Sequence, residues 1–257
     1  MIYAFYDGLK KIMKSVFISI IIPGFNEEKR IQKSLHTLFD YCVQRFSHFE
    51  ILFIDDGSTD QTRHIVKRLS LKKSQIQYLG YSKNCGKGYA IRLGLKHAKG
   101  KYIFFTDADL PYDPQFLSDA IEIFEQTACD LISGNRHLKQ SRDDAGLNLK
   151  RIWASRIFSM LVHTLLGIEV TDTQCGIKGF SRACAKQIIQ LSHINGYAFD
   201  VEIFIMARHC QWHVELLPVV LVNNQLSKIR LGFDPFYILR DIVKIYYQQK
   251  KSIIINK

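Results

Sequence analysis

The sequence has no run of eighteen consecutive apolar residues, no C-x-x-C pair, no internal repeat and no Pro-rich or low-complexity tract. Each absence excludes a class of protein. Without a long apolar run, a membrane-spanning helix is not expected. Six cysteines, at 42, 85, 129, 175, 184 and 210, lack zinc-type spacing. They read as free, mostly buried thiols in a reducing compartment. The opening MIYAFYDGLKKIMK places Asp7 and two lysines ahead of any apolar run, so a secretory signal is not expected and a cytoplasmic location is. With no linker in view, the economical division is a basic arm over 1–14, one main domain over 15–230 and a basic amphipathic tail over 231–257.

Acids are also scarce relative to bases, 24 against 35, for a formal charge of +11. The excess is not spread evenly. Residues 1–14, 139–156 and 228–257 carry net +2, +3 and +5, which leaves the rest nearly neutral and rich in carboxylates. A uniformly basic nucleic-acid binder does not need this separation, whereas approach to an anionic surface from one side does. The segment 150–168 adds Trp153 and an aliphatic run to Lys150, Arg151 and Arg156. It reads either as a core helix or as an interfacial helix with basic flanks.

Apolar runs alternate with helical patterns. Residues 16–22, 50–54, 76–81, 101–106 and 130–134 read as buried strands, and 214–222 returns to strand character. Ile31, Leu35, Leu38 and Cys42 recur at helical spacing after a cap candidate, Asn26. Ser58 and Gln61 suggest a capping box, a third helix runs from about Gly88 to Ala98, and Pro114 opens a fourth. This rhythm predicts an α/β fold with a mainly parallel central sheet and helices on both faces, its ligands gathering at the C-terminal strand ends.

Three such ends carry acids: PGFNEE, DDGSTD and TDADL. Helix starts already loaded with Glu27, Glu28 and Asp60 make poor phosphate sites. Gly86-Lys87-Gly88 followed by Ile91 lacks the dinucleotide fingerprint, no P-loop occurs, and Tyr112 and Ser118 stand where a calcium loop starting at Asp107 requires Gly and Glu. In FFTDADLPYDP, a strand continuing outward would send Asp107 and Asp109 to the same side. Two like charges there call for a positive group between them, for which a hard divalent cation suits; the alternative is a solvated turn. The acidic crevice would take a nucleotide by its base and ribose hydroxyls through Asp side chains and its diphosphate through a metal, with Lys87 and Lys228 as further cations. His97, His163 and His209 read as structural, and Asp200 and Glu202 as capping or solvent-facing groups.

The stretches SIIIPGFNE, EILFIDDGSTD, NCGKGYAIRLGLKHAKGKYIFFTDADL, GNR, DTQCGIKGFSR, FDVEIF and SKI, in that order, resemble glycosyltransferase family 2 with its Rossmann-like GT-A fold. More narrowly they are similar to the polyprenyl-phosphate sugar transferases, the group of dolichyl-phosphate β-glucosyltransferases and dolichol-phosphate mannose synthases, over roughly residues 16–245. The resemblance implies that Pro23, Asn26, Glu27 and Asp55 or Asp56 shape the donor site. It gives Asp107 and Asp109 to the metal (Mg2+ or Mn2+) and donor. Arg136, Arg151 and Ser155 fall at the acceptor phosphate, Ser227 and Lys228 at the donor phosphate, and Asp172 at a position proposed as catalytic base. Phe25, Pro111 and Ile177 depart from the usual pattern. The implied activity is inverting transfer of a hexose, favouring glucose from UDP-glucose, to dolichyl or undecaprenyl phosphate by a peripheral enzyme on the cytoplasmic membrane face. A membrane-protein anchor or a homo-oligomer are further partners it allows. The alternatives are a GDP-mannose-dependent transferase, a family member with a polysaccharide acceptor, and a non-catalytic basic module whose binding weakens steeply with salt.

Overall fold

The computed structural model describes residues 17–143, Thr164, Gly167, 172–223 and 240–245. Its first half follows the predicted rhythm: β1 (Phe17–Gly24), α1 (Ile31–Arg45), β2 (His48–Asp56), α2 (Thr62–Lys72), β3 (Ile76–Tyr81), α3 (Lys87–His97), β4 (Tyr102–Thr106), α4 (Gln115–Gln126) and β5 (Leu131–Asn135). There follow β6 (Arg142–Asp143), β7 (Ile177–Ser181), α5 (Arg182–Leu191), α6 (Phe199–His209), β8 (Val214–Pro218) and β9 (Val220–Leu221).

Seven strands form one sheet in the order β3-β2-β1-β4-β7-β5-β8. Every pairing is parallel except those of β7, which runs antiparallel between β4 and β5. Because both faces are covered, the central strands are mainly apolar and their residues alternate between two cores. Ile18, Ile20, Ile22, Ile51, Phe53 and Phe104 face α1, α2 and α4. Ile21, Leu52, Ile54, Ile103 and Phe105 face α3, α5 and α6. Ile242 and Ile245, from the region read as a tail, are buried in this second core. The short pair β6 and β9 forms a separate parallel ribbon beside the C-terminal edge.

Two helix starts differ from expectation. Asn26 is not a cap: it has φ 55, its Oδ1 accepts from Thr59 N at 2.8 Å, and α1 begins at Ile31 without a side-chain cap. Ser58 and Gln61 form no capping box, because Ser58 Oγ accepts from Asn26 N at 2.9 Å, and Gln61 N donates to Glu28 Oε2 at 3.0 Å. Both local pairings lost to cross-loop bonds that tie the β1 and β2 exits together. Glu28 and Asp60 complete that tie, since Glu28 N donates to Asp60 Oδ2 at 3.1 Å. These acids precede the helices rather than sitting in their first turns. Pro114 does open α4, and Asp113 Oδ1 accepts from Gln115 N in the turn before it. No helix among the described residues is long and apolar enough to cross a membrane.

Candidate active site

The exits of β1, β2 and β4 and the turn entering β7 meet at one edge of the sheet, because β7 is antiparallel and starts where its neighbour β4 ends. Pro23 is the seventh residue of β1 and pairs in register with Ile54. Glu27 follows it, buried, its N–H bonded to Thr62 Oγ1 at 2.7 Å and its carboxylate to the Arg30 guanidinium.

Asp55 and Asp56 are both buried and both committed to internal donors. Asp55 accepts from Ser58 N at 2.8 Å and from the Tyr78 hydroxyl at 2.7 Å. Asp56 accepts from Cys85 N at 2.6 Å and Gly86 N at 2.9 Å. Burial pushes the Asp56 carboxyl up against the pull of those amide bonds. Gly86, with φ 100, occupies the left-handed region that favours glycine. Asp56 thereby fixes the backbone immediately before Lys87, the first residue of α3. That helix start is closed to an anion, as Gly88 N and Tyr89 N both donate to Asn195 O.

Asp107 and Asp109 lie beyond the strand, not on its continuation. β4 ends at Thr106, Leu110 N donates to Asp107 O at 3.0 Å, and Leu110 has φ 44. The turn still brings both carboxylates to one locality, where each is met by a different side-chain cation. Lys87 Nζ lies 2.9 Å from Asp107 Oδ1, and Arg30 Nη1 lies 3.6 Å from Asp109 Oδ2. Burial, then repulsion from Asp107, pushes the Asp109 carboxyl up to about 6, with Arg30 opposing. Asn223 Nδ2 donates to Asp109 O at 2.6 Å and pins the turn from the far side. Gly176 packs so tightly here that a Cβ would overlap Asp107 Oδ2.

Among the described residues no cluster of three or more His, Cys, Asp or Glu is arranged to hold a metal. Two carboxylates already answered by positive groups nevertheless fit a hard divalent cation, one that takes few protein oxygens and completes its shell with water and substrate phosphate.

Behind Lys87 lies a group the sequence did not reveal as part of the site. Lys87 Nζ also contacts Asp200 Oδ2 at 3.3 Å, and Asp200 Oδ1 accepts from Lys178 Nζ at 2.6 Å. Lys178 is fully buried and spends its remaining donors on Thr173 O at 3.2 Å and Cys175 O at 2.8 Å. Burial opposes the charge on Lys87, but Asp107 and Asp200 overcome it and raise its pKa. Burial likewise opposes ionisation of Asp200, but Lys178 and Lys87 hold its carboxyl below the usual range. Asp200 is therefore neither a cap nor solvent-facing. Glu202 is buried as well, its carboxylate accepting from His193 N at 2.7 Å and from Ile194 N. Every residue from Phe199 to Ala207 is buried, and two acids in such a helix require internal partners. That run was the available signal.

On the other side of β7, Arg136 follows β5 and is clamped to Asp172. Its N, Nε and Nη2 donate to the two Asp172 oxygens at 2.9, 2.8 and 2.7 Å. Burial works against the Asp172 charge, and Arg136 overcomes it, holding the carboxyl below the ordinary range. A carboxylate so committed is a weak proton acceptor, and its evident work is to orient Arg136. The Arg136 side chain keeps 25% of its surface accessible. Arg151, Ser155, Ser227, Lys228 and His163 lie outside the described residues. His97 and His209 bond to carbonyls of their own helices, as structural histidines do.

Comparison with known proteins follows the same lines. The sequence profile described as Glycosyl transferase family 2 matches residues 19–189. A dolichyl-phosphate beta-glucosyltransferase of Saccharomyces cerevisiae is 32% identical across 90% of this chain and 75% of its own. One from Dictyostelium discoideum is 31% identical across 93% and 76%. Among solved structures, glucosyl-3-phosphoglycerate synthase from Mycobacterium tuberculosis in complex with uridine-diphosphate superposes with a TM-score of 0.70 at 18% identity, over 93% of this chain and 83% of that one. The same enzyme with Mn2+, uridine-diphosphate and phosphoglyceric acid gives 0.70 at 17%, over 93% and 82%. The fold is thus GT-A, and with acids at its strand ends and the matching profile over most of its length, this chain belongs to glycosyltransferase family 2.

Proposed function

We propose that the enzyme transfers glucose from UDP-glucose to a polyprenyl phosphate of the dolichyl type, with inversion, at the cytoplasmic face of a membrane. The observation that carries this is likeness at 31–32% identity, over about three quarters of their lengths, to dolichyl-phosphate beta-glucosyltransferases. The acidic crevice supports it. Asp107 and Asp109 would hold a divalent cation, Mg2+ or Mn2+, which supplies charge stabilisation to the departing diphosphate. Lys87, held between Asp107 and Asp200, is within the same locality to donate to diphosphate oxygens. Glu27, Asn26, Asp55 and Asp56 maintain the walls of the nucleotide site through their cross-loop bonds.

Arg136, oriented by Asp172, would receive the acceptor phosphate, a role that the family resemblance also gives to Arg151 and Ser155. An acceptor phosphate carries about −1.5 to −2 charge near pH 7, so its oxygen attacks the anomeric carbon without a general base. The new bond forms as the bond to the diphosphate breaks, and the nucleotide diphosphate departs with that electron pair. The requirement is positioning by cations more than proton transfer. This accords with an Asp172 committed to Arg136.

The basic segments 1–14, 139–156 and 228–257 supply attraction to anionic lipid, on the order of 1 kcal/mol per cation near the surface. A donor panel of UDP-glucose, UDP-galactose and GDP-mannose, assayed with polyprenyl phosphate and Mn2+, tests the reading. UDP-glucose should be preferred and the product should be the β-linked lipid-phosphate sugar. Preference for GDP-mannose, or transfer only to soluble acceptors, would overturn it.

A further inference from the structure

Lys87 and Arg30 share an arrangement: each bridges one carboxylate of the cation site and one buried carboxylate outside it. Lys87 spans Asp107 and Asp200, at 2.9 and 3.3 Å. Arg30 spans Asp109, at 3.6 Å, and Glu27. The outer partners are fixed. Asp200 is held from behind by the fully buried Lys178, and Glu27 by its backbone bond to Thr62. Asp107 keeps 38% of its side-chain surface accessible, against 2% for Asp200.

We infer that Lys87 is a resident counter-cation of the donor-free enzyme, competing with the divalent cation for Asp107 and retained on Asp200 once the cation arrives. The inference rests on the cation assignment made above. Physically, two carboxylates held close together in a partly buried turn repel each other, and a side-chain ammonium relieves this while the site waits for substrate. A divalent ion approaching Asp107 must displace that ammonium. Were Asp107 its sole partner, the displaced charge would be stranded in a buried place, a costly outcome that would work against loading. Asp200 prevents this, since it already shares Lys87 and is itself neutralised by Lys178. The released N–H donors then face the side on which the diphosphate binds. Lys178 and Asp200 are positioning residues in this scheme: they act through Lys87 and touch no substrate.

The scheme fixes signs that simple damage cannot produce. Mn2+ binding to the nucleotide-free protein, read from the free-ion signal in electron paramagnetic resonance, should tighten about tenfold in Lys87→Met, because a competitor has been removed. UDP binding at saturating Mn2+ should weaken about tenfold in the same variant, and Lys87→Arg should move both values back towards wild type. Asp200→Asn should weaken Mn2+ binding without nucleotide, because Lys87 then has Asp107 alone. If that variant does not fold, Asp200→Asn with Lys178→Met removes both buried charges and carries the same expectation. A misfolded variant loses affinity and does not gain it. Mn2+ affinity unchanged or weakened in Lys87→Met, or tightened in the Asp200 variants, overturns the inference. If wild-type protein binds Mn2+ in an Asp109-dependent way and Lys87→Met does not alter it, only this inference falls. If wild type binds no Mn2+ with or without UDP, the cation assignment falls and takes this inference with it.

Discussion

Asp55 and Asp56 at the end of β2, and Asp107 and Asp109 beyond β4, occupy the same edge of one sheet, yet they are held in different ways. The first pair accepts from backbone amides and a tyrosine hydroxyl. The second pair meets the tips of a lysine and an arginine. A backbone donor cannot leave without unmaking its loop, whereas a long side chain can turn away. The first pair therefore holds its loops in place and the second can exchange its partners. Identical residue types at equivalent strand ends are thus locked by backbone in one case and held by side chains in the other, and the donors decide which.

The sharpest way to break this comparison is Asp109→Asn. It should lower turnover by about 100-fold or more, the scale for losing one preorganised electrostatic group, while the melting temperature holds or rises. Next comes Gly176→Ala, where the added methyl must push Asp107 aside. A displacement of this kind costs up to about 100-fold in rate, and steady-state kinetics with UDP-glucose would measure it. Asp56→Asn should do the reverse of Asp109→Asn. It turns one acceptor oxygen into a donor facing a backbone N–H, destabilising the fold by about 1–3 kcal/mol in denaturant titration, and any loss of activity should follow from the moved Lys87 loop.

The smallest effect concerns pH. Asp109, raised from 3.8 to about 6, binds its proton more tightly in the folded state than in the unfolded one. Its contribution to stability is present in full below about pH 4 and is lost as pH rises through 6. Asp172 and Asp200, both lowered, have the opposite sign: their contribution is present above the ordinary carboxyl range and lost as pH falls through their folded values. Cation-free melting curves between pH 4 and 7 should show the Asp109 slope in wild type and its absence in Asp109→Asn. An unchanged slope would remove the contrast between the two pairs.

Much of this was legible in the sequence where the signal is local. Continuous apolar runs marked β1 to β5, and the spacing of Ile31, Leu35, Leu38 and Cys42 marked α1. The acids after three strands marked the sheet edge where Asp55, Asp56, Asp107 and Asp109 gather. β7 was not legible as a strand: Ile177–Ser181 contains a lysine and a glycine, and nothing nearby in sequence tells that Lys178 will be buried against Asp200. The helix caps were misread for a related reason, since Asn26 and Ser58 found partners on each other's loops more than thirty residues away. Charge pairs and cross-loop bonds carry no periodicity. They become visible once the sheet order is known.

The reversed strand has a consequence for how the enzyme is made. Residues 17–106 build β3-β2-β1-β4; the β1-β2 and β2-β3 pairings join residues 31 and 25 apart, and β4 returns beside β1 with a separation of 84, all of them available while the chain is still emerging. The partner that steadies Lys87 arrives 113 residues after it, and β7, which must lie beside β4, comes seventy residues after that strand. Until then, β4 presents an unpaired edge and Asp107 and Lys87 have only each other. The loops at the β1, β2 and β4 exits therefore form before Lys178 and Asp200 arrive, and a ribosome-bound intermediate halted near residue 140 would hold Lys87 against Asp107 without the second carboxylate that shares it.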